Sequence, residues 1–198
     1  AQANPHTIPD FSFMHAVKPS AASRGYLWTE SNYKLIADNV MDLSHADFLH
    51  PESVGGAFTR SKPVVEEAGD GLCITWENNN EKALPAYDQS LPQPGQAVDF
   101  RTQVHWQAPA TMKLDIAIAP TGQPYEHGLL THNAHIATPE TAGTSHYFFW
   151  LTRQFLMDDE DVNAKRQTAM LNAFGNQDKP MLREQQMAMG TDDLFGLG

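Results

Sequence analysis

The chain has 198 residues, 41% of them hydrophobic, and carries 13 Lys and Arg against 24 Asp and Glu, a net charge of −11. This suits one domain or two small ones with a real core, and it argues against nucleic acid as the main partner, because phosphate binding needs a basic face. No run of ~18 apolar residues can span a membrane, and no basic amphipathic segment suits a membrane surface.

The single cysteine, Cys73, rules out an intrachain disulfide. With an N-terminus that lacks the charged and apolar regions of a signal peptide, it points to a reducing cytoplasm. One thiolate also cannot hold an iron–sulfur cluster, which needs at least two.

In chain order, residues 1–10 are polar, contain proline and read as a linker. Residues 11–17 form a short strand candidate. Residues 30–49 read as a helix with Leu35, Ile36, Val40 and Leu43 on its apolar side. Residues 55–62 suggest a short strand, and residues 64–67 and 72–77 a hairpin around Gly69-Asp-Gly71. Residues 78–95, with Pro85, Pro92 and Pro94, read as a long loop, and loops of that length often act as lids.

The clearest strand signal follows. Val98, Phe100, Thr102, Val104 and Trp106 alternate with polar residues, as do Met112, Leu114, Ile116 and Ile118 with their neighbours, so each strand has one covered face. Residues 127–138 and 144–155 make two further strands. A helix capped by Asp158 or Asp159 comes next, Gly175 interrupts it, and a second helix runs from Asp178 through Gln186. The order defines an α+β layout, with helices segregated to one side of an antiparallel sheet.

The most informative stretch is Asp42-x2-His45-x4-His50 followed by Pro51. Two helical residues five apart point about 140° away from each other, so a regular helix would not aim both imidazoles at one ion. Pro51 pushes His50 out of the α region and frees that ring to turn back toward His45. Asp42 lies one turn before His45, on the same face. Two histidines with one carboxylate form a facial site that suits Fe(II). Asp178 is the candidate third ligand; it is equally placed to cap the last helix, with Pro180 in the first turn. Spacing does not separate these two roles.

The Asp42/His45/His50 motif resembles the iron motif of Rieske non-haem iron oxygenases. Two later segments are similar to the vanillate O-demethylase-like branch of that family. They are Ala137-Thr-Pro-Glu140 followed by His146-Tyr-Phe-Phe-Trp150, and Phe174-x3-Asp178-Lys-Pro-Met-Leu-x-Glu184-Gln-Gln. All three occur in the family's order, from about residue 11 to residue 186.

The resemblance implies a helix-grip fold (Bet v 1/START-like), an antiparallel sheet wrapped around a long C-terminal helix. It implies that His45, His50 and Asp178 bind mononuclear Fe(II). Asp42 would be the bridging acid, hydrogen-bonded to the ligating histidine and linking it to a Rieske [2Fe–2S] cluster of the neighbouring subunit in a homotrimer. The family carries Cys-x-His and Cys-x2-His pairs for that cluster, and this chain has neither. Residues 1–10 are then the linker from a Rieske domain outside this sequence, and 11–198 the catalytic domain. Asp38 and Asn39 receive no role.

The implied reaction is monooxygenation of a small aromatic substrate with O2, most specifically O-demethylation of a methoxylated aromatic acid. NAD(P)H supplies electrons through a separate reductase or ferredoxin. Asn133, His135, His146 and Trp150 are the candidate substrate contacts. Met170, Leu171 and Phe174 are weighed as cavity lining, Arg101 and Arg153 as partners of a substrate carboxylate, and Cys73 as an inert core residue. The competing class is a helix-grip module that binds a small molecule without catalysis, since fold does not fix function. A zinc hydrolase would want His-Glu-x2-His, which is absent.

Overall fold

A computed structural model describes residues 8–190. Its frame is a seven-stranded antiparallel sheet in the order β1-β7-β6-β5-β4-β3-β2. The strands are β1 (Ala22–Thr29), β2 (Val64–Ala68), β3 (Gly71–Lys82), β4 (Ala97–Gln107), β5 (Thr111–Pro120), β6 (Leu129–Pro139) and β7 (Ser145–Arg153). Helix α1 (Tyr33–Met41) and the short α2 (Ala46–Leu49) connect β1 to β2, and α3 (Pro85–Asp88) lies between β3 and β4. After β7 the chain runs as one continuous helical rod: α4 (Glu160–Asn172), a π-helical segment (Ala173–Asp178) and α5 (Lys179–Met189). This is the helix-grip α+β fold expected from the sequence. Among the described residues no helix is long and apolar enough to cross a membrane.

Period-2 alternation decides which side chains the sheet turns toward the helices. Val98, Phe100 and Val104 of β4, Met112 and Ile118 of β5, and Tyr147 and Phe149 of β7 are buried on that face. Val104, Met112, Tyr147 and Phe149 form a core with Leu35, Ile36 and Val40 of α1 and with Phe174 and Leu182 of the rod, while Val98, Phe100 and Ile118 pack with Leu84, Tyr87 and Leu129 in a second cluster. Tyr147 and Phe174 stack with ring centroids 4.0 Å apart.

Several local expectations are corrected. Residues 11–17 hold a 3₁₀ turn (Ser12–His15) instead of a strand. Asp10 accepts a hydrogen bond from the Ser12 N–H, and the Phe13 ring lies against His132 and under Lys113. Residues 55–62 hold another 3₁₀ turn (Phe58–Arg60). There the Asp47 carboxylate collects the backbone N–H groups of Gly56, Ala57, Phe58 and Thr59, donors that a strand would need for its ladder. Asp42 leaves the helical region and accepts from the Ser44 N–H, which splits the single helix expected over 30–49.

Strand β1 carried no alternation strong enough to find. Its centre is Gly25, where an added Cβ would lie 2.2 Å from Cζ of Phe149, so the glycine is what lets that ring cross the strand. β3 continues past residue 77 through a bulge between Asn78 and Glu81. Gly175 does not stop the last helix; the chain widens into the π turn there. Of the linker expected over residues 1–10, residues 1–7 lie outside the described residues, as do 191–198.

On the opposite face of the sheet, Asp115 ties three strands together. Its carboxylate meets His132 Nδ1 at 2.7 Å, Lys113 Nζ at 2.9 Å and His105 Nε2 at 3.5 Å. Burial alone raises its pKa, but the bonds from His105, His132 and Lys113 outweigh burial and hold the carboxyl far below its ordinary 3.8. A depressed folded pKa contributes stability above the unfolded value, and that stability is lost as pH falls toward the folded one. Asp115→Asn is therefore expected to cost about 1–2 kcal/mol at neutral pH. The gap to the native chain should shrink below about pH 3.8. Urea denaturation at neutral and acid pH measures both arms; equal stability of the two proteins at neutral pH would refute the assignment.

Candidate metal centre and substrate pocket

His45 ends the 3₁₀ turn after Asp42, His50 closes α2, and Asp178 ends the π segment. The three offer ligand atoms that all lie within 4.8 Å of one another. Asp178 Oδ1 is 3.0 Å from His50 Nε2 and 3.6 Å from His45 Nε2, and the two imidazoles meet edge to face at 5.3 Å. His50 and Asp178 are buried, and His45 is partly exposed. Asp178 makes no capping hydrogen bond, so the helix-cap role the sequence left open is not the one it plays.

The back of each imidazole is pinned. His45 Nδ1 lies 2.5 Å from the Asp42 carbonyl oxygen and His50 Nδ1 lies 2.7 Å from Gln177 Oε1. Both partners are acceptors, so each neutral ring carries its proton on Nδ1. Each Nε2 then turns a lone pair toward the Asp178 carboxylate. Three lone-pair donors aimed at one point repel unless a proton or a metal cation lies between them. The His50 pKa says the same. Burial pulls it down, but Asp178 and Gln177 together reverse this and the net shift is upward. The donor set and its supports fit a small divalent ion of the kind bound by two histidines and a carboxylate.

Asp42 orients His45, but through its backbone carbonyl rather than its carboxylate. The carboxylate accepts from the Ser44 N–H, and the residue is exposed. Two residues at the triad were missed. The Asn39 amide lies 3.4 Å from both His45 Nε2 and Asp178 Oδ1. Gln177 clamps one nitrogen of His50 while its neighbour Asp178 faces the other. Successive α-helical residues diverge by about 100°. A π turn holds more residues per turn and so rotates each one less, which lets 177 and 178 serve one ring; such turns are frequent at functional sites. Pro180 and Gly175 were the visible signals of irregularity, though neither specifies a π turn.

A cavity of about 410 Å³ opens between α4, α3 and the inner face of β5–β7. Ser53 and Val54, just after His50, and Ala173, at the start of the π segment, line it, so cavity and triad share walls. Asn133 and His135, two of the candidate substrate contacts, face into it, and both are buried. His146 and Trp150 do not. They lie on the other face of β7, where His146 Nδ1 meets the Tyr26 hydroxyl at 2.8 Å and the Arg24 guanidinium covers Trp150 at 5.3 Å. Alternation along β7 puts Tyr147, Phe149 and Leu151 inward and these two outward.

Met170 lines the cavity, Leu171 is exposed, and Phe174 belongs to the core. Arg101 stacks on Tyr125, and buried Arg153 donates to the carbonyls of Ser20 and Asp159. Cys73 is buried, as expected. The segment read as a lid supplies Pro85, Ala86, Tyr87 and Gln89 to the cavity wall.

His135 shows what the cavity offers a ligand. Burial pulls its pKa down to about 4, so the ring is neutral at pH 7. Burial, aided by the charge of Asp178, raises the pKa of Tyr147 well above 10.0. Among the described residues the Tyr147 hydroxyl meets one polar partner, His135 Nδ1, 2.6 Å away; donating its proton there leaves the imidazole proton on Nε2. Among the described residues that Nε2 has no partner, nor does Asn133 Oδ1, and buried polar atoms without partners on a cavity wall call for a ligand.

Comparison with known proteins follows the same lines. The family profile described as the vanillate O-demethylase oxygenase C-terminal domain matches residues 29–195. An iron-sulfur subunit of the toluene-4-sulfonate monooxygenase system of Comamonas testosteroni is 34% identical over 193 residues, covering 92% of this chain and 54% of that protein. The crystal structure of dicamba monooxygenase bound to 3,6-dichlorosalicylic acid superposes with a TM-score of 0.86 at 29% identity, over 94% of this chain and 55% of that one. A structure of dicamba monooxygenase with non-heme iron and dicamba gives 0.70 at 27% identity, over 94% and 53%. The chain thus spans about half the length of the relatives it matches. It belongs to the vanillate O-demethylase oxygenase C-terminal domain family, the catalytic domain of Rieske oxygenases.

The charge balance at His50 is directly testable. In metal-free protein, Asp178→Asn removes the attraction that lifts the His50 pKa and leaves burial to lower it. The His50 imidazole is expected to titrate at lower pH in the variant than in the native chain, as followed by NMR of the ring nitrogens. An unchanged or higher value would show that Asp178 does not control this ring.

Proposed function

We propose that this domain holds mononuclear Fe(II) on His45, His50 and Asp178 and carries out monooxygenation of a small aromatic substrate, in particular O-demethylation of a methoxylated aromatic acid. The observation that carries this reading is the convergence of three lone-pair donors, two of them with their backs pinned, beside a cavity with unpartnered polar atoms. Fe(II), when held there with open positions, supplies the O2 activation through which one oxygen atom enters a substrate C–H bond. For an aryl methyl ether the product is a hemiacetal, which collapses to formaldehyde and a phenol.

The chain's own residues set the conditions for that chemistry. The Asp42 carbonyl and Gln177 fix the tautomer and orientation of the two imidazoles and raise their basicity. Leu114, Ile116, Leu151 and Met170 supply the apolar walls that take a ring and exclude water. His135 Nε2–H donates a hydrogen bond to a substrate oxygen, and Asn133 offers a second polar contact.

Asp42, exposed and joined to His45 by one hydrogen bond, marks where electrons arrive. Their source is a Rieske [2Fe–2S] cluster outside these 198 residues, carried by a neighbouring subunit of a homotrimer. That cluster is reduced by NAD(P)H through a reductase or ferredoxin.

Anaerobic Fe(II) loading tests the reading. The native chain is expected to take up about one iron, and His45→Ala and Asp178→Ala to lose it while remaining folded. Asp42→Asn is expected to keep its iron, since the link to His45 is made by the backbone, and to cut turnover in the complete enzyme. A well-folded native chain that takes up no stoichiometric iron would overturn the assignment.

A further inference from the structure

The cavity has a second polar end that the reaction as described does not use. Helix α4 contributes Arg166 to its wall. The guanidinium lies 4.9 Å from the centroid of Tyr87 and 5.9 Å from that of Phe155. One of its N–H groups donates to the Tyr87 hydroxyl at 3.3 Å, and that hydroxyl meets Thr131 Oγ1 at 3.1 Å. Two aromatic rings and the hydroxyl of one of them thus flank the guanidinium but use only part of its five-donor fork.

Among the described residues no carboxylate forms an ion pair with Arg166. In a chain with net charge −11, this is a cation that no described carboxylate neutralises by direct contact. Its neighbours add to the positive potential: Lys165 lines the same cavity, and Arg166 acts electrostatically on the buried Arg153.

Position along the fold gives this end a direction. Thr131, Asn133 and His135 share one face of β6, and Thr131 and His135 are roughly 13 Å apart along the strand. Arg166 joins the Thr131 end through Tyr87. His135 joins the metal end, because its partner Tyr147 feels the charge of Asp178. Arg166 also precedes Asp178 by twelve residues of continuous helix, six α-helical and six in the wider π segment, a span somewhat under the roughly 18 Å of a regular α-helix. The cavity therefore has a cationic end far from the triad, an apolar middle, and neutral hydrogen-bonding groups near it.

We propose that Arg166 is the specificity residue that receives the carboxylate or sulfonate of an aromatic substrate, holding the anion away from the triad so that the opposite side of the ring faces it. The inference rests on the cavity being the substrate site. A guanidinium flanked by two rings offers paired N–H groups to an oxyanion, and the apolar walls between it and His135 accept the ring.

The test is calorimetric titration of the chain with 4-methoxybenzoate, with benzenesulfonate and with the neutral methyl ester of 4-methoxybenzoate, alongside melting curves for each variant. Arg166→Gln is expected to weaken both anions by roughly tenfold or more, while the ester changes by less than about twofold. Arg166→Lys, which keeps the charge but loses the fork, should fall between native and Gln for the anions, and it serves as the test if the Gln variant does not fold. Anion binding unaffected in both variants, anion and ester weakened equally, or no binding of any probe to the native chain would each overturn the proposal.

Iron content separates this outcome from the proposed function. Arg166-dependent anion binding in a chain that takes no iron would refute the iron assignment alone. Stoichiometric iron without that dependence would refute the role of Arg166 alone.

Discussion

A buried carboxylate facing two imidazoles, each held from behind by an acceptor, is the constraint around which the rest of this molecule is arranged. Asp178 is almost fully removed from water, and an isolated charge there would cost several kcal/mol. The Asp42 carbonyl and Gln177 occupy the Nδ1–H of His45 and His50, so a neutral ring cannot relieve that cost; only added positive charge at Nε2, a proton or a metal ion, does so. The arrangement is under electrostatic tension that a cation resolves. That tension can persist only because the surrounding elements hold the three residues in place.

The sheet and the helical rod provide that hold in different ways. The inner face of the sheet presents a dense aromatic and aliphatic layer, in which Tyr147 stacks on Phe174 of the rod. This contact fixes the rod one turn before Asp178 and, through the hydroxyl of Tyr147, sets the tautomer of His135. The core residue and the polar group facing the ligand are thus linked by one side chain. On the other face, Asp115 joins three strands through its contacts with Lys113, His105 and His132, so the sheet is tied together on both sides.

Much of this could be seen in the amino-acid order. Strands β4 and β5 showed themselves by alternation because each turns one face to the core, and β6 and β7 followed as two further strand segments. The triad showed itself through a histidine spacing that only a broken helix could use, and Pro51 marked the break. What stayed hidden depended on contacts distant in sequence. Gly25 erased the signal of β1 because its role is to make room for Phe149. Residues 55–62 looked extended until Asp47 claimed their amides. His146 and Trp150 had the right chemistry for a site but the wrong parity on β7, which alternation from Tyr147 would have revealed. Asn39, Gln177 and Arg166 are ordinary polar residues on helical stretches, and nothing local distinguishes them from surface positions.

The π segment has a consequence for how such a domain can change over time. Because its turn holds more residues than the α turn it replaces, the segment sets the angular offset between α4, which lines the cavity, and the carboxylate that follows. Loss of one residue anywhere in 173–178 would let the rod close into an uninterrupted α-helix and turn its two halves by roughly 100° relative to each other. Either the cavity wall or Asp178 would then face solvent. Side chains along the wall are free to vary and reshape the cavity for new ligands. The number of residues between wall and carboxylate is not, so diversification here proceeds by substitution and not by insertion or deletion.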